Sequence, residues 1–256
     1  MNQKELELYI HIPFCVKKCS YCDFLSAPAT EQTKEAYMAA LFAEIGGRAK
    51  DYKDRIVTSV FIGGGTPSLL SADTIRQLME HIREGFRLAP DAEITMEVNP
   101  GTVTAEKLTA FYEAGINRLS IGMQSAQEQE LKILGRIHDF DGFCQVYREA
   151  VEAGFTNINV DVMSGLPGQT LAGYRDTLEK VLHLEPMPQH ISAYSLIVEE
   201  GTPFAAMAER GQLPLPEEDV ERAMYEETIE VLEKYGFHRY EISNYARDGY
   251  ECRHNV

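Results

Sequence analysis

An α/β fold built as a partial (β/α)6 barrel, with an extra helical and strand segment after the sixth strand, is predicted by three features of the sequence. Short runs rich in β-branched residues alternate with longer helical segments. Six such pairs follow one another, and several of the helical segments carry their own start and stop residues. Repeated strand-then-helix units mean parallel strands joined by right-handed crossovers. In a barrel of this kind functional groups gather at the C-terminal ends of the strands.

The first strand is expected over residues 6–12 and the first helix over 31–48, followed by a strand at 58–62, a helix at 72–86 and a strand at 94–98. Thr104 precedes the acidic first turn, Glu106, of a helix over 105–114, and Gly115 follows that helix. A strand at 118–121, helices at 126–134 and 143–153, a strand at 157–162, a helix at 172–184 and a strand at 191–197 complete the series. Gly154, like Gly115, stands where a left-handed helix cap needs glycine. After residue 197 the sequence Gly201-Thr-Pro203, with Gly211, Pro214 and Pro216, reads as a long loop or a partly helical excursion. Val220, Met224, Val231 and Tyr235, with Ile229 and Leu232 beside them, then form one apolar helical face, and 239–243 reads as a seventh strand.

Composition narrows the function. The chain has 256 residues, 24 Lys and Arg against 40 Asp and Glu, and a net charge of −16. Nonspecific nucleic-acid binding rests on clustered cations that neutralise phosphates, so no nucleic-acid partner is expected. The longest uncharged stretch, 56–72, holds Gly63-Gly-Gly-Thr66-Pro67 and is too short and too broken to span a bilayer. Peripheral membrane contact is left open by this reading. Residues 1–7 contain no apolar run of the signal-peptide kind, which predicts a cytoplasmic protein.

Five cysteines are present, and Cys15, Cys19 and Cys22 lie together in Cys15-Val-Lys-Lys-Cys19-Ser-Tyr-Cys22, directly after the first strand. Three thiolates on one tight loop can hold three corners of a [4Fe–4S] cube and leave the fourth iron open to an exchangeable ligand. The alternative is a zinc site, for which His11 is the candidate fourth ligand.

The C-x3-C-x2-C loop with an aromatic before its third cysteine resembles the radical S-adenosylmethionine (SAM) enzymes. Tyr9-Ile-His11-Ile-Pro13-Phe14-Cys15 and Gly63-Gly-Gly-Thr66-Pro67 are similar to the branch containing oxygen-independent coproporphyrinogen III dehydrogenase and the bacterial heme chaperones. The resemblance extends over residues 9–255. It implies a radical SAM barrel core over 1–200, with 201–256 an extension that continues into a C-terminal domain beyond this chain. It also implies that Cys15, Cys19 and Cys22 hold a [4Fe–4S] cluster, and that Tyr9, Tyr21, Gly64, Gly65, Thr66, Glu97, Gln124, Arg136 and Asp161 match SAM-contacting positions. Some of those positions serve a second SAM in the family.

Within that branch three features favour the chaperones. The dehydrogenases extend their cysteine motif to C-x3-C-x2-C-x-C, where this chain has Cys22-Asp23-Phe24. They also carry a long segment before the cluster, whereas the first cysteine here is residue 15. Glu251-Cys-Arg-His254-Asn255 resembles the start of the chaperones' H-N-x-x-Y-W heme motif, and the chain ends at Val256 without tryptophan. The expected function is therefore heme binding, with His254 a candidate heme ligand, and delivery to a heme-acceptor protein, with SAM at the open iron and an external electron donor. The alternatives are radical oxidative decarboxylation of coproporphyrinogen III, through a 5′-deoxyadenosyl radical, and a zinc or iron–sulfur scaffold without SAM chemistry. His138 reads as either a packed or a functional histidine, Cys144 as a small buried hydrophobe, and Tyr174 and Tyr194 as core aromatics in preference to the alternative, pocket lining.

Overall fold

The computed structural model describes residues 4–256; the start of the N-terminal segment read for an apolar run, residues 1–3, lies outside the described residues. Its elements are β1 (Lys4–Ile12), α1 (Glu31–Arg48), β2 (Arg55–Gly64), α2 (Ala72–Gly85), β3 (Leu88–Val98), α3 (Ala105–Glu113), β4 (Arg118–Gln124), α4 (Glu128–Leu134), α5 (Phe140–Glu152), β5 (Ile158–Ser164), α6 (Leu171–Leu182), β6 (His190–Ser195), α7 (Pro203–Glu209), α8 (Glu218–Lys234), β7 (His238–Arg239) and β8 (Asn244–Ala246). One sheet runs β1-β2-β3-β4-β5-β6-β8-β7. The first six strands pair in parallel, and β8 joins β6 antiparallel. β1 and β7 stand at opposite edges of the sheet, so the barrel is open on one side.

Each strand has an outward face that packs against helices. Ile62 on β2, Met96 on β3, Ile121 on β4, Val160 on β5 and Ile191 on β6 are each 0% exposed and belong to one apolar core with Leu78 and Ile82 of α2, Phe111 of α3, Phe143 of α5 and Leu178 of α6. The caps behave as the sequence predicts: Thr104 accepts from Lys107 N at 3.4 Å to start α3, and Gly115 and Gly154 take φ of 95° and 109° behind α3 and α5.

Of the two readings of the stretch after residue 197, the partly helical one holds: it contains a short helix, α7, because Thr202 accepts from Ala205 N at 3.1 Å and Pro203 takes the first helical position, where its missing N–H costs nothing. The strand expected over 239–243 is displaced: it is the two-residue β7, which ends at Arg239, and residues 240–243 turn the chain between β7 and β8, with Tyr240 N bonded to Asn244 O and the Glu241 carboxylate accepting from Ser243 N and the Asn244 amide.

Candidate functional site

Alternation along the strands puts a second set of residues on the inward face. Phe61 of β2, Glu97 of β3, Arg118, Ser120 and Gln124 of β4, Asn159 and Asp161 of β5, and Ser192 and Tyr194 of β6 surround a cavity of about 400 Å3. Cys15, Cys19, Tyr21, Cys22, Gly64, Gly65, Thr66, Glu97, Gln124, Arg136 and Asp161 all line it, although they come from five segments far apart in sequence.

The cysteine loop is pinned at several backbone points. Cys15 N donates to Ala27 O and Ala27 N to Pro13 O, while Ser20 N reaches Leu134 O at the end of α4 and Ser20 O accepts from Phe204 N at the start of α7. Tyr21 packs against a small apolar cluster of Leu134, Met163, Leu166 and Phe204. Two cavity residues point donors at the sulfurs: Thr66 Oγ1 lies 3.6 Å from Cys15 Sγ, and Arg136 Nη1 lies 3.8 Å from Cys19 Sγ. All three thiols are free and half-buried. His11 does not join them, because its ring nitrogens face the Tyr9 hydroxyl at 3.0 Å and the Leu25 carbonyl at 2.9 Å. Among the described residues no three His, Cys, Asp or Glu side chains are arranged around a single-ion position. A cluster makes a different demand, one thiolate for each of three separate irons, and three free thiols with cationic and hydroxyl donors aimed at two of them fit it.

Beside the loop, the end of β2 lets backbone come close. A Cβ on Gly65 would sit 2.7 Å from Phe14 O and 2.9 Å from Phe14 N, so no other residue fits there. Gly64 has φ of 114°, and its N–H donates to Glu97 Oε2 at 3.0 Å. Burial, and after it the neighbouring Asp161, pushes the Glu97 carboxyl up to about 8. Burial also lifts Asp161 to about 6, against the opposing hydrogen bonds from Asn159 at 2.6 Å and Ser120 at 3.3 Å. Arg136 Nη2 donates to Gly122 O at 2.7 Å and Asn99 Oδ1 at 2.9 Å. Gln124 is held at φ of 67°, a left-handed conformation uncommon outside glycine, and its amide donates to the Tyr194 hydroxyl at 3.3 Å. Gln124 Oε1 and Arg136 Nε are buried without a partner. Orphaned polar atoms on residues that line a cavity are what a polar ligand satisfies on binding.

Several expectations are corrected by this geometry. The fifth strand, expected over 157–162, runs on to Ser164, so Asp161 points into the interior from mid-strand and not from the strand's end. Tyr194 lines the cavity and also packs against the Leu134, Met163, Leu166 and Phe204 cluster, whereas Tyr174 is a core aromatic bonded to Thr228 at 2.7 Å. Cys144 is half-buried. His138 is packed, its Nε2 3.3 Å from Met123 O, and burial together with Arg136 pulls it down to about 4, so it is neutral at pH 7. Tyr9 and His254 do not line the cavity. His254 stacks on Phe61 at 4.8 Å and on Tyr9 at 5.8 Å, with Nδ1 3.7 Å from Glu7. Sequence reasoning missed Asn99, Arg118, Ser120, Asn159 and Ser192. Counting back by twos from Gln124 would have reached Ser120 and Arg118, since alternate strand residues share a face.

Residues 9–181 match the profile of the Radical SAM superfamily. Heme chaperone HemW of Escherichia coli (strain K12) is 41% identical over 254 residues, covering 98% of this chain and 65% of that protein. Radical S-adenosyl methionine domain-containing protein 1, mitochondrial, of Danio rerio is 38% identical over 252 residues, covering 98% of this chain and 56% of the relative. Coproporphyrinogen III oxidase (HemN) from Escherichia coli, described as a radical SAM enzyme, superposes with a TM-score of 0.87 at 32% identity, over 97% of this chain and 57% of that one. The chain thus spans less than two thirds of the length of these relatives.

Proposed function

The chain belongs to the radical SAM superfamily, which implies a [4Fe–4S] cluster and SAM, and from that premise we propose that Cys15, Cys19 and Cys22 ligate the cluster and that SAM lies in the adjoining cavity. Together the two would supply one-electron cleavage of a sulfonium bond, driven by an external electron donor. The observation that carries the assignment is the convergence of the three thiols, the Gly64-Gly65-Thr66 turn, Glu97, Gln124, Arg136 and Asp161 on one cavity.

The residues divide the work. Arg136 and Thr66 donate towards the sulfurs and hold the loop charge in place. Gly65 keeps a side chain out of the closest backbone approach. Glu97 and Asp161 are two buried carboxyls that a cationic ligand would ionise, because a positive charge beside them reverses the cost of burial. Gln124 Oε1 and Arg136 Nε supply one acceptor and one donor not otherwise used. Tyr21 anchors the loop through its apolar contacts. Tyr9 stands outside the cavity, and its contribution is to the stack with Phe61 and His254.

For the whole protein we propose heme carriage: heme is bound and delivered to an acceptor protein in the cytoplasm. The heme-chaperone relatives and the absence of a cysteine at Phe24 support this reading. No helix among the described residues is long and apolar enough to cross a membrane. The barrel core over 1–200 and the extension over 201–256 are part of the same proposal, and they share one sheet because β8 pairs with β6. His254 enters as the heme ligand: no hydrogen bond engages its ring nitrogens among the described residues, and its side chain is 29% exposed. The second reading is porphyrinogen oxidation, favoured by the likeness to the oxidase structure.

Anaerobic reconstitution followed by electron paramagnetic resonance tests the site. A reduced-cluster signal that SAM perturbs is expected, and an unperturbed signal would refute the open iron. Heme titration of this chain and of His254→Ala tests the carrier reading; equal affinity removes His254. Release of carbon dioxide with a vinyl product from coproporphyrinogen III would replace carriage by oxidation.

A further inference from the structure

Below the ring of SAM-site residues, the inward face of the sheet carries a cation that the proposed function leaves without a task. Arg118 opens β4 and is only 2% exposed. Its Nη1 donates to Thr95 Oγ1 at 3.4 Å, a long contact, and its Nε is buried with no partner. Among the described residues no carboxylate forms an ion pair with it. Glu93, the acid nearest in the hydrogen-bond network, is committed elsewhere: its Oε1 accepts from Arg253 N at 3.0 Å, and Cys252 Sγ and Thr95 Oγ1 lie 3.5 Å away. Asp161 feels Arg118 through space but takes its hydrogen bonds from Asn159 and Ser120.

A guanidinium removed from water without a carboxylate is costly, and chains rarely retain one unless a partner arrives from outside. Here the route for such a partner exists, because Arg118 lines the same cavity, as do Ser120, Asn159, Ser192 and Asn244. These neighbours are polar, but most are already bonded to one another: Asn159 Nδ2 donates to Ser120 Oγ at 2.7 Å, and the single Ser192 O–H has Asn244 Oδ1 at 2.7 Å and Asn159 Oδ1 at 3.1 Å as alternative acceptors. The floor is therefore a preorganised polar socket whose unmet demand is for negative charge. The planar edge of a guanidinium matches a carboxylate with two parallel N–H donors, which a spherical anion cannot use equally well.

We propose that Arg118 anchors a carboxylate-binding subsite at the floor of the cavity, oriented by Thr95 and distinct from the cluster end. A cavity of about 400 Å3 shared with the cofactor site admits an arm bearing the carboxylate, not a macrocycle. That arm can come from a tetrapyrrole propionate or from the amino-acid end of a sulfonium ligand, and the two are separable by competition.

The test is calorimetric titration of sodium propionate into the cluster-loaded full chain, in buffer free of other carboxylates, with the cluster absorbance recorded throughout. Saturable binding by the wild type, at least tenfold weaker in Arg118→Met and severalfold weaker in Thr95→Val with unchanged absorbance, supports the subsite. Displacement of propionate by SAM assigns the arm to the sulfonium ligand; displacement by coproporphyrin III, with SAM inert, assigns it to the tetrapyrrole. Absence of propionate binding in the wild type overturns the proposal, and so does equal affinity in wild type and Arg118→Met. Thr95→Val keeps the buried charge, so it carries the comparison if Arg118→Met does not fold.

Discussion

Along β4, Leu119, Ile121 and Met123 point outward into the helices and are each 0% exposed, while Arg118, Ser120 and Gln124, on the same seven residues, point into the cavity. β3, β5 and β6 repeat the division, with Met96, Val160 and Ile191 outside and Glu97, Asp161 and Ser192 inside. In a packed (β/α) barrel the inward side chains are bulky and branched and fill the interior. Here, Phe61 apart, they are polar or ionisable, and the interior stays open. The outward face thus carries folding free energy and the inward face lines the candidate site, separated by one residue of register.

If that division is real, changes on the two faces should fail in different assays. The largest effect is expected from Cys19→Ala, which should abolish cluster incorporation, read as iron content and visible absorbance, while the apo chain melts within a few degrees of the wild type. Ile121→Ala should do the reverse. Removing a fully buried aliphatic costs about 2–5 kcal/mol, measured by denaturant unfolding, and the reconstituted fraction that remains folded should keep its cluster. A smaller effect is expected from Glu97→Gln. A glutamate in the unfolded chain titrates near 4.5 and Glu97 near 8, so the folded state holds a proton that the unfolded state has released. The stability this contributes is complete below about pH 4.5 and is lost as pH rises towards 8, with Asp161 adding to the loss from its own ordinary value of 3.8 to about 6. The apo wild type should therefore melt several degrees lower at pH 8 than at pH 5. Glu97→Gln, whose amide oxygen can still accept from Gly64 N, should show a visibly shallower slope; an unchanged slope would remove Glu97 as its source. The smallest effect belongs to the exposed pair Lys132–Glu128 on α4, 3.5 Å apart. Lys132→Ala should change stability by less than about 1 kcal/mol and leave cluster content alone, which sets the floor against which both faces are judged.

The outward face was the more legible of the two. Runs of Ile, Val, Leu and Met at alternate positions announce strands and say which side meets helices, and the six parallel strands follow from them. The cysteine loop and the Gly-Gly-Gly-Thr-Pro turn were also legible, because few other uses call for three clustered thiols or three consecutive glycines. Arg118 and Asn159 were not, since a basic or amide residue at the start of a strand looks like surface until the sheet curls and its first residues turn inward. For Tyr194 the sequence leaves core packing and cavity lining both open, because the two leave the same aromatic signature, and the residue does both. The α7 helix was legible only as one of two readings, since Gly201, Pro203 and Gly211 read as breakers although Pro203 begins that helix.

The backbone ties of the cysteine loop also bear on when the site can form during synthesis. Ser20 is held by Leu134 and by Phe204, and Cys19 faces Arg136. None of these partners exists when the loop leaves the ribosome, and closing such long loops comes late because their entropy is spent before their contacts form. Three thiols therefore travel unsheltered until most of the barrel has been made. On the proposed cluster assignment, insertion of iron and sulfide would follow folding, and a chain interrupted before Phe204 would carry all three clustered cysteines and still lack a finished place to use them.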